Sequence, residues 1–355
     1  MRAPVVSTLD AEASVLLVRL RSLGDTVLAT PAFSLLRRAM PKATIWVVIE
    51  ERFAGVLEGQ PDIDGVLTLP SSAGFRDKLR LVRAIRSKQP ALCLDMHGGT
   101  TAAWMTALSS ARFRAGFAHF RQRWAYNVRI PRAQEVLGLP ERACVHTAEH
   151  HAAAVAHLSG SVCTVPRARL CPTQRPSGPP YAVLHAGAAY ATKRWKFDHF
   201  RGIALELRNQ HGIEPVFVAG PAEDDPAGRT GDFAVRHGLR LPALMALLSG
   251  ARLFVGNDSG PAHVAAAYGV PCVVVFGSSA SAVWGPWKTA HRIVETEWSC
   301  KPCPGDRCYE YDRPRCILSV EREAVSRAVS ELLEETRPIR STDKSPSRPT
   351  GSATP

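Results

Sequence analysis

The stretch VLLVRLRSLGDTVLATPAFSLLRR, residues 15–38, decides the fold class. The run Val15 to Val18 is apolar throughout and reads as a strand buried on both faces. A polar turn ending in Gly24-Asp25 follows, and from about Thr26 to Arg38 apolar residues recur at helical spacing. Strand, loop and helix in that order open a βαβ unit. Units of that kind repeat into a parallel, doubly wound sheet.

Outward from this stretch the pattern continues. Strand candidates at Thr44 to Ile49, Gly65 to Leu69 and Ala91 to Asp95 alternate with amphipathic segments near Gly74 to Lys88 and Thr100 to Ser109. A second series has strands at Tyr181 to His185, Glu214 to Ala219, Leu253 to Gly256 and Cys272 to Phe276. Its helix-like segments are Asp198 to Gln210, Pro242 to Leu248 and Ser259 to Tyr268. Between the series lies a stretch with five prolines, Pro166 to Pro180, which reads as a linker. The expected organisation is α/β: a first Rossmann-like domain over 1–165, a linker over 166–180 and a second such domain over 181–336. A last helix spans about Val320 to Glu335, and a Pro/Ser/Thr/Arg-rich tail over 337–355 reads as disordered. Two such domains face each other across a cleft, and ligands sit beyond the carboxyl ends of the strands, so functional residues are expected just after strands.

Composition narrows the class. With 355 residues and 45% apolar content the chain can build a substantial core or two. No run reaches the roughly eighteen apolar residues a spanning helix needs, and the first thirteen residues carry two acids and no apolar h-region. The expected compartment is the cytoplasm, where the nine cysteines would stay reduced. The net charge of +12 is uneven: residues 1–165 hold 20 Lys+Arg against 13 Asp+Glu, residues 166–336 hold 20 against 18. The first half therefore faces something anionic.

Five constellations can carry chemistry. In the first, Gly24 permits a tight turn and Asp25 falls at a helix start, which suits an N-cap and a general base equally. In the second, His185-Ala-Gly187-Ala188-Ala-Tyr-Ala-Thr-Lys193-Arg194-Trp195 leaves a strand end; small residues let amides approach an anion, and the Lys-Arg pair supplies charge for a diphosphate. In the third, Asn257-Asp258-Ser259-Gly260-Pro-Ala-His263 turns from a strand into an Ala-rich helix whose N-terminus is an anion site. His263 alone reads more simply as a satisfied core histidine. None of these loops has the G-x-G-x-x-G spacing and no Walker A sequence occurs, which counts against a dehydrogenase or a P-loop NTPase. The fourth runs from Arg112 to Arg132, with six arginines, among them Arg112, Arg114, Arg121 and Arg123. Aromatic residues interleave them, and no acid occurs from Met96 to Gln134. It suits an anionic glycolipid at a bilayer surface better than nucleic acid, for which no recognised module is present; a solvated basic face is the plainer alternative. The fifth is Cys300-x2-Cys303-x4-Cys308-x7-Cys316, which can be read as a thiolate metal site or as reduced loop cysteines.

VRLRSLGDTVLATPAF from Val18 to Phe33, KRW from Lys193 to Trp195 and NDSGPAHVAAAYGVPCVVVFG from Asn257 to Gly277 resemble the glycosyltransferase 9 family, the lipopolysaccharide core heptosyltransferases. The Cys-rich segment ending CILSV is similar to one in the second heptosyltransferase group. The resemblance implies a GT-B fold, with the acceptor on the first domain and the nucleotide sugar on the second, and often a final helix packed back across the cleft. It implies inverting, metal-independent transfer without a cofactor from ADP-heptose to an anionic glycolipid acceptor, in peripheral contact with the cytoplasmic face of the inner membrane. The family's general base matches Asp25 and its diphosphate-binding lysine Lys193. Its donor-site motif matches Asp258, Ser259, Gly260 and His263, and its ribose-binding acid matches Glu223. Where members often place hydroxyl residues, this chain has Gly187, Ala188 and Ala189, so donor contacts there would come from backbone amides. A nucleotide-sugar epimerase could use the same donor loops but has no use for the arginine segment. A non-catalytic glycolipid-binding protein would keep that segment and tolerate loss of Asp25, and within the enzyme reading the runner-up is a family relative that transfers another sugar to a cell-surface glycolipid or glycan.

Overall fold

The computed structural model describes residues 3–161 and 164–337. Among them, twelve strands form two parallel six-stranded sheets. The first sheet comprises β1 (Ser14–Val18), β2 (Thr44–Glu50), β3 (Gly65–Leu69), β4 (Leu92–Asp95), β5 (Phe113–Phe117) and β6 (Val128–Ile130), ordered β3-β2-β1-β4-β5-β6. The second comprises β7 (Tyr181–His185), β8 (Glu214–Ala219), β9 (Ala234–His237), β10 (Leu253–Asn257), β11 (Cys272–Val275) and β12 (His291–Val294), ordered β12-β11-β10-β7-β8-β9. Counted from its own first strand, each sheet has the doubly wound 3-2-1-4-5-6 order. The strand order therefore reverses between β1 and β4, where Leu16 pairs with Cys93, and between β7 and β10, where Val183 pairs with Phe254.

The longer helices are α1 (Leu23–Ala39), α2 (Phe75–Ser87), α3 (Thr100–Ala107), α4 (Thr147–Ser159), α5 (Phe197–His211), α6 (Leu241–Ser249), α7 (Gly260–Ala267) and α8 (Arg322–Glu335). Side chains alternate along each strand, so each sheet has two apolar faces to cover. Leu16 and Val18 of β1 pack outward with Leu81 and Ile85 of α2 and Met105 of α3. Val15 and Leu17 point the other way, into a core shared with α1, α4, α6, α7 and the inner face of the second sheet. Phe200 and Leu207 of α5 and Val325 and Leu332 of α8 cover the outer face of the second sheet. The layers run helix, sheet, helix, sheet, helix, and the middle helices weld the two halves. Truncating a wholly buried side chain of that middle layer, such as Phe33, would cost about 3–5 kcal/mol.

Residues 166–180 carry no regular secondary structure yet are clamped. Pro31 interrupts α1 and, lacking an N–H, strands the Val27 carbonyl. Thr30 Oγ1 donates to that carbonyl (2.7 Å) and accepts from the Arg169 amide (3.0 Å). Trp287 Nε1 donates to the Pro166 carbonyl (2.8 Å) and Tyr268 OH to that of Cys171 (2.9 Å).

Five elements escape the sequence reading: β5, β6, β9, β12 and α4. β5 and β6 lie inside the arginine-rich segment, where charge masks the strand pattern. The resemblance implied a final helix crossing the cleft; α8 instead stays on the second sheet, buried against it through Val325, Val329 and Leu332. The expected disordered tail lies outside the described residues, apart from Arg337. No helix among the described residues is long and apolar enough to cross a membrane.

Candidate active site

The carboxyl ends of β1 and β2 face those of β7, β8 and β10 across a cleft of about 1010 Å³. Asp25, Lys193, Ala188, Glu223, Asp258, Ser259, Gly260 and His263 all line it. The sequence readings from two distant motifs thus converge on one space.

Asp25 is the third residue of α1, in a capping box with Ser22. Its Oδ2 accepts from Ser22 Oγ (2.8 Å) and, at 3.2 Å, from the Ser22 amide. Its Oδ1 pairs with Arg19, a residue only 6% exposed whose Nη1 also donates to the Met96 carbonyl (2.9 Å). Burial pulls the Arg19 guanidinium below its ordinary range, and the carboxylates of Asp25 and Asp95 pull it back. The N-cap place expected for Asp25 belongs to Ser22; Asp25 is its N3 partner in the capping box, and its carboxylate also faces the cleft. Arg19 was part of the quoted motif, but nothing in its spacing gave it this role.

Asp95, buried at the end of β4, accepts from the amides of His97 (2.8 Å) and Gly98 (2.9 Å) and from Tyr126 OH (2.7 Å). Desolvation raises its pKa against the pull of these donors. It fixes the loop that closes a second cavity, about 480 Å³, also bounded by Asp25. His97, His150, His151 and Phe120 line this cavity. Burial holds His97 and His150 down to about 4, and His151 well below the ordinary range. Both ring nitrogens of His151 lack a partner among the described residues.

On the second sheet, Lys193 Nζ donates to Asp258 Oδ2 (2.7 Å), and Ser279 Oγ donates to the same oxygen. Asn257 staples the loop after β7 to the end of β10: its Nδ2 donates to the carbonyls of Ala186 (2.8 Å) and Gly187 (3.2 Å), and its Oδ1 accepts from the Trp195 amide (3.1 Å). Arg194 Nε donates to the Ala188 carbonyl (2.7 Å), and Trp195 Nε1 to that of Val320 (2.8 Å). Of the Lys-Arg-Trp triplet, then, only Lys193 lines the cleft.

Ser259 occupies the N-cap of α7 without capping it. Its hydroxyl lies 2.9 Å from His185 Nδ1, whose Nε2 is 3.0 Å from Glu223 Oε2. A proton on His185 Nε2 donates to Glu223, and the Ser259 hydroxyl meets Nδ1 on the other side of the ring. The first turn of α7 thus keeps its amides without a side-chain cap, at the positive end of the helix. Burial raises the Glu223 pKa, but His185 and the Gly220 amide (2.7 Å) outweigh it and bring it to about 2. Gly187 touches this group: a Cβ there would run into the Glu223 carboxylate. His263, buried in α7, is held at about 4 by desolvation, against the opposing charge of Asp258.

The two halves meet tightest here. A Cβ built on Gly24 would lie 2.5 Å from His263 Cδ2, and one on Gly260 would lie 2.9 Å from Leu23 Cδ2. Glycine at both positions lets the N-termini of α1 and α7 abut. Arg52, Arg236 and Arg240 also line the cleft, and no motif in the sequence marked them.

The remaining predicted residues lie elsewhere. Arg112 and Arg114 sit at the amino end of β5, the end of the sheet remote from Asp25. Arg114 donates there to the carbonyls of Ala125 (3.1 Å) and Ala111 (3.3 Å), and Arg112 packs over the Phe113 ring. Arg121 and Arg123 are exposed on the loop after β5, which Gln122 ties to Thr100 at the start of α3 (3.1 Å). Among the described residues no group of three or more His, Cys, Asp or Glu is placed to hold a metal ion, so Cys300, Cys303, Cys308 and Cys316 form no such group. The eight cysteines described are all free.

Comparison with known proteins identifies the family and agrees with the fold. The family model for glycosyltransferase family 9 (heptosyltransferase) matches residues 78–312. Lipopolysaccharide heptosyltransferase 3 of Escherichia coli K12 is 27% identical over 345 residues, 89% of this chain and 96% of its own length. Lipopolysaccharide heptosyltransferase 1 of Pseudomonas aeruginosa is 27% identical over 329 residues, 87% of this chain and 92% of its own. In three dimensions a glycosyl transferase family 9 protein from Veillonella parvula superposes with a TM-score of 0.79 at 22% identity, covering 92% of this chain and 99% of that one.

Proposed function

Given that this chain belongs to glycosyltransferase family 9, and is therefore a glycosyltransferase, we propose that it moves a heptose from ADP-heptose to the inner core of lipopolysaccharide, with inversion and without a catalytic metal. The observation that carries this reading is the meeting of Asp25 with Lys193 and the uncapped N-terminus of α7 in one cleft. The family description and the names of the two curated relatives support heptose as the sugar and lipopolysaccharide as the acceptor.

In this reading the diphosphate rests on the first-turn amides of α7, with Lys193 beside it, and Glu223, held as a carboxylate by His185, receives the ribose hydroxyls. Backbone groups of Gly187 and Ala188 border the donor. The acceptor hydroxyl enters from the first domain and attacks the anomeric carbon from the face opposite the diphosphate. As the new carbon–oxygen bond forms, Asp25 takes the proton and the diphosphate leaves with the electron pair of the broken bond. Ser22 and Arg19 aim the Asp25 carboxylate. Lys193 and the helix end stabilise the charge gathering on the leaving group, the role a divalent cation fills elsewhere, and Asp258 is already engaged by Lys193 and Ser279. Of the four arginines singled out in the sequence, Arg121 and Arg123, on the loop that walls the second cavity, are the two we assign to the acceptor's anionic groups. A lipid-borne acceptor places the enzyme at the cytoplasmic face of the inner membrane.

The test is turnover of ADP-heptose with a truncated lipopolysaccharide acceptor, with and without EDTA, followed by ADP release and acceptor mass. Wild type is expected to transfer equally in both conditions. Asp25→Asn, still folded, is expected to lose about two to four orders of magnitude in kcat. Transfer from a different nucleotide sugar alone would overturn the donor, and undiminished turnover by the variant would overturn the base.

A further inference from the structure

The outer helix layer of the first sheet combines exposed apolar side chains with a one-sided charge. Five of the ten exposed large hydrophobic residues among those described lie on it: Phe75 (81% exposed), Leu79, Trp104 (50%), Leu108 and Trp124 (55%). The rings of Trp104 and Trp124 are 4.7 Å apart, so two large aromatics pack on each other in water instead of in the core. Phe75, Leu79 and Arg83 follow one another at i, i+4 and share a ridge of α2. Arg76, Lys78, Arg80 and Arg86 stand exposed around that ridge. The patch is continuous, because Arg86 Nε donates to the Leu108 carbonyl (2.8 Å), joining the ends of α2 and α3, and Gln122 joins the Trp124 loop to α3. From residue 65 to 134 there are twelve Lys+Arg and two acids, of which Asp95 is buried and Asp77 caps α2.

We infer that this face, α2 with α3 and the Trp124 loop, docks the protein on an anionic phospholipid bilayer. Tryptophans flanked by arginines match the headgroup boundary, where an amphipathic ring keeps its edge wet and a cation meets lipid phosphate. The charge around these side chains is of one sign, which is what an anionic lipid surface requires. The face also borders the chemistry: Phe120, on the same loop as Trp124, lines the second cavity beside Asp25. The inference rests on the proposed reading only in that a lipid-borne acceptor gives such docking a purpose.

The experiment is co-sedimentation of the full chain with vesicles of phosphatidylcholine alone or mixed with phosphatidylglycerol, paired with turnover on a water-soluble, delipidated acceptor. Wild type should bind only the mixed vesicles and release at high salt. Trp104→Ser with Trp124→Ser, and separately Arg80→Glu with Arg83→Glu, should each weaken vesicle binding by about tenfold or more and leave soluble-acceptor turnover unchanged. Tyr309→Ser, an exposed aromatic on the second domain, should bind like wild type. Equal binding by both double variants, or a wild type that ignores vesicles while binding RNA or self-associating through this face, would overturn the inference. Vesicle binding without any soluble-acceptor turnover would instead count against the transferase reading alone.

Discussion

Gly187 shows how much a single absent carbon can decide. It lies against the Glu223 carboxylate, which in turn holds His185, and through it Ser259 away from its cap. Gly187→Ala would push Glu223 aside and dismantle the chain at its first link. We expect the donor KM to rise by about ten- to a hundredfold, the range of a lost charged hydrogen bond, with kcat on saturating donor much less affected. An unchanged KM would mean that Glu223 does not face the nucleotide. The residues of this site were legible where small side chains and charge cluster after a strand: Asp25, Lys193 and Asp258 declare themselves that way. Asn257, His185 and Ser279 do not, because their partners lie more than twenty residues away in the chain, and Arg19 is aimed at Asp25 by the equally distant Met96 carbonyl; no local pattern records such a meeting.

At the scale of elements, α1 is a helix with a defect put to use. Pro31 removes one rung of the ladder, Thr30 repairs it, and the repaired hydroxyl then receives the connecting segment at Arg169. Thr30→Val keeps the shape and removes both bonds inside a buried site. Urea unfolding should show a loss of about 1–3 kcal/mol without a change in m, and Ser at this position should recover most of it. The central strands and most helices could be read from the sequence since they are buried on both faces or on one regular stripe. β5, one strand in from the edge, and the edge strands β6, β9 and β12 could not: FRAGF, VRI, AVRH and HRIV each carry a cation that breaks the apolar pattern, and pairing with a neighbour, not composition, makes them strands. α4 was hidden for a different reason. Its N-cap is His146, whose Nδ1 accepts from the Ala148 amide (3.1 Å), a capping residue outside the usual set.

Across the whole molecule, four histidines are held out of their charged form by burial. His97, His150 and His263 are held at about 4 by burial, and His151 lower still, whereas the unfolded chain would protonate each near 6.5. Between those values the unfolded state binds more protons than the native one, so stability is full above about 6.5 and falls as the pH drops toward 4. The urea midpoint should fall between pH 7.5 and pH 5 and recover on return. A flat profile would mean that these rings are hydrated. At this scale, too, the seam where Gly24 packs on His263 and Gly260 on Leu23 sets where motion matters. When two bodies rock about a point, displacement grows with distance from that fulcrum, and here Asp25 and the N-terminus of α7, the proposed base and diphosphate seat, sit beside it. Opening wide enough to admit a nucleotide at the rim would sweep the outer arms through a large arc and leave the reacting groups nearly still. In the proposed reading, the spacing between base and leaving group is then set where Gly24 packs on His263 and Gly260 on Leu23, and an added methyl at either position would lengthen it at its root.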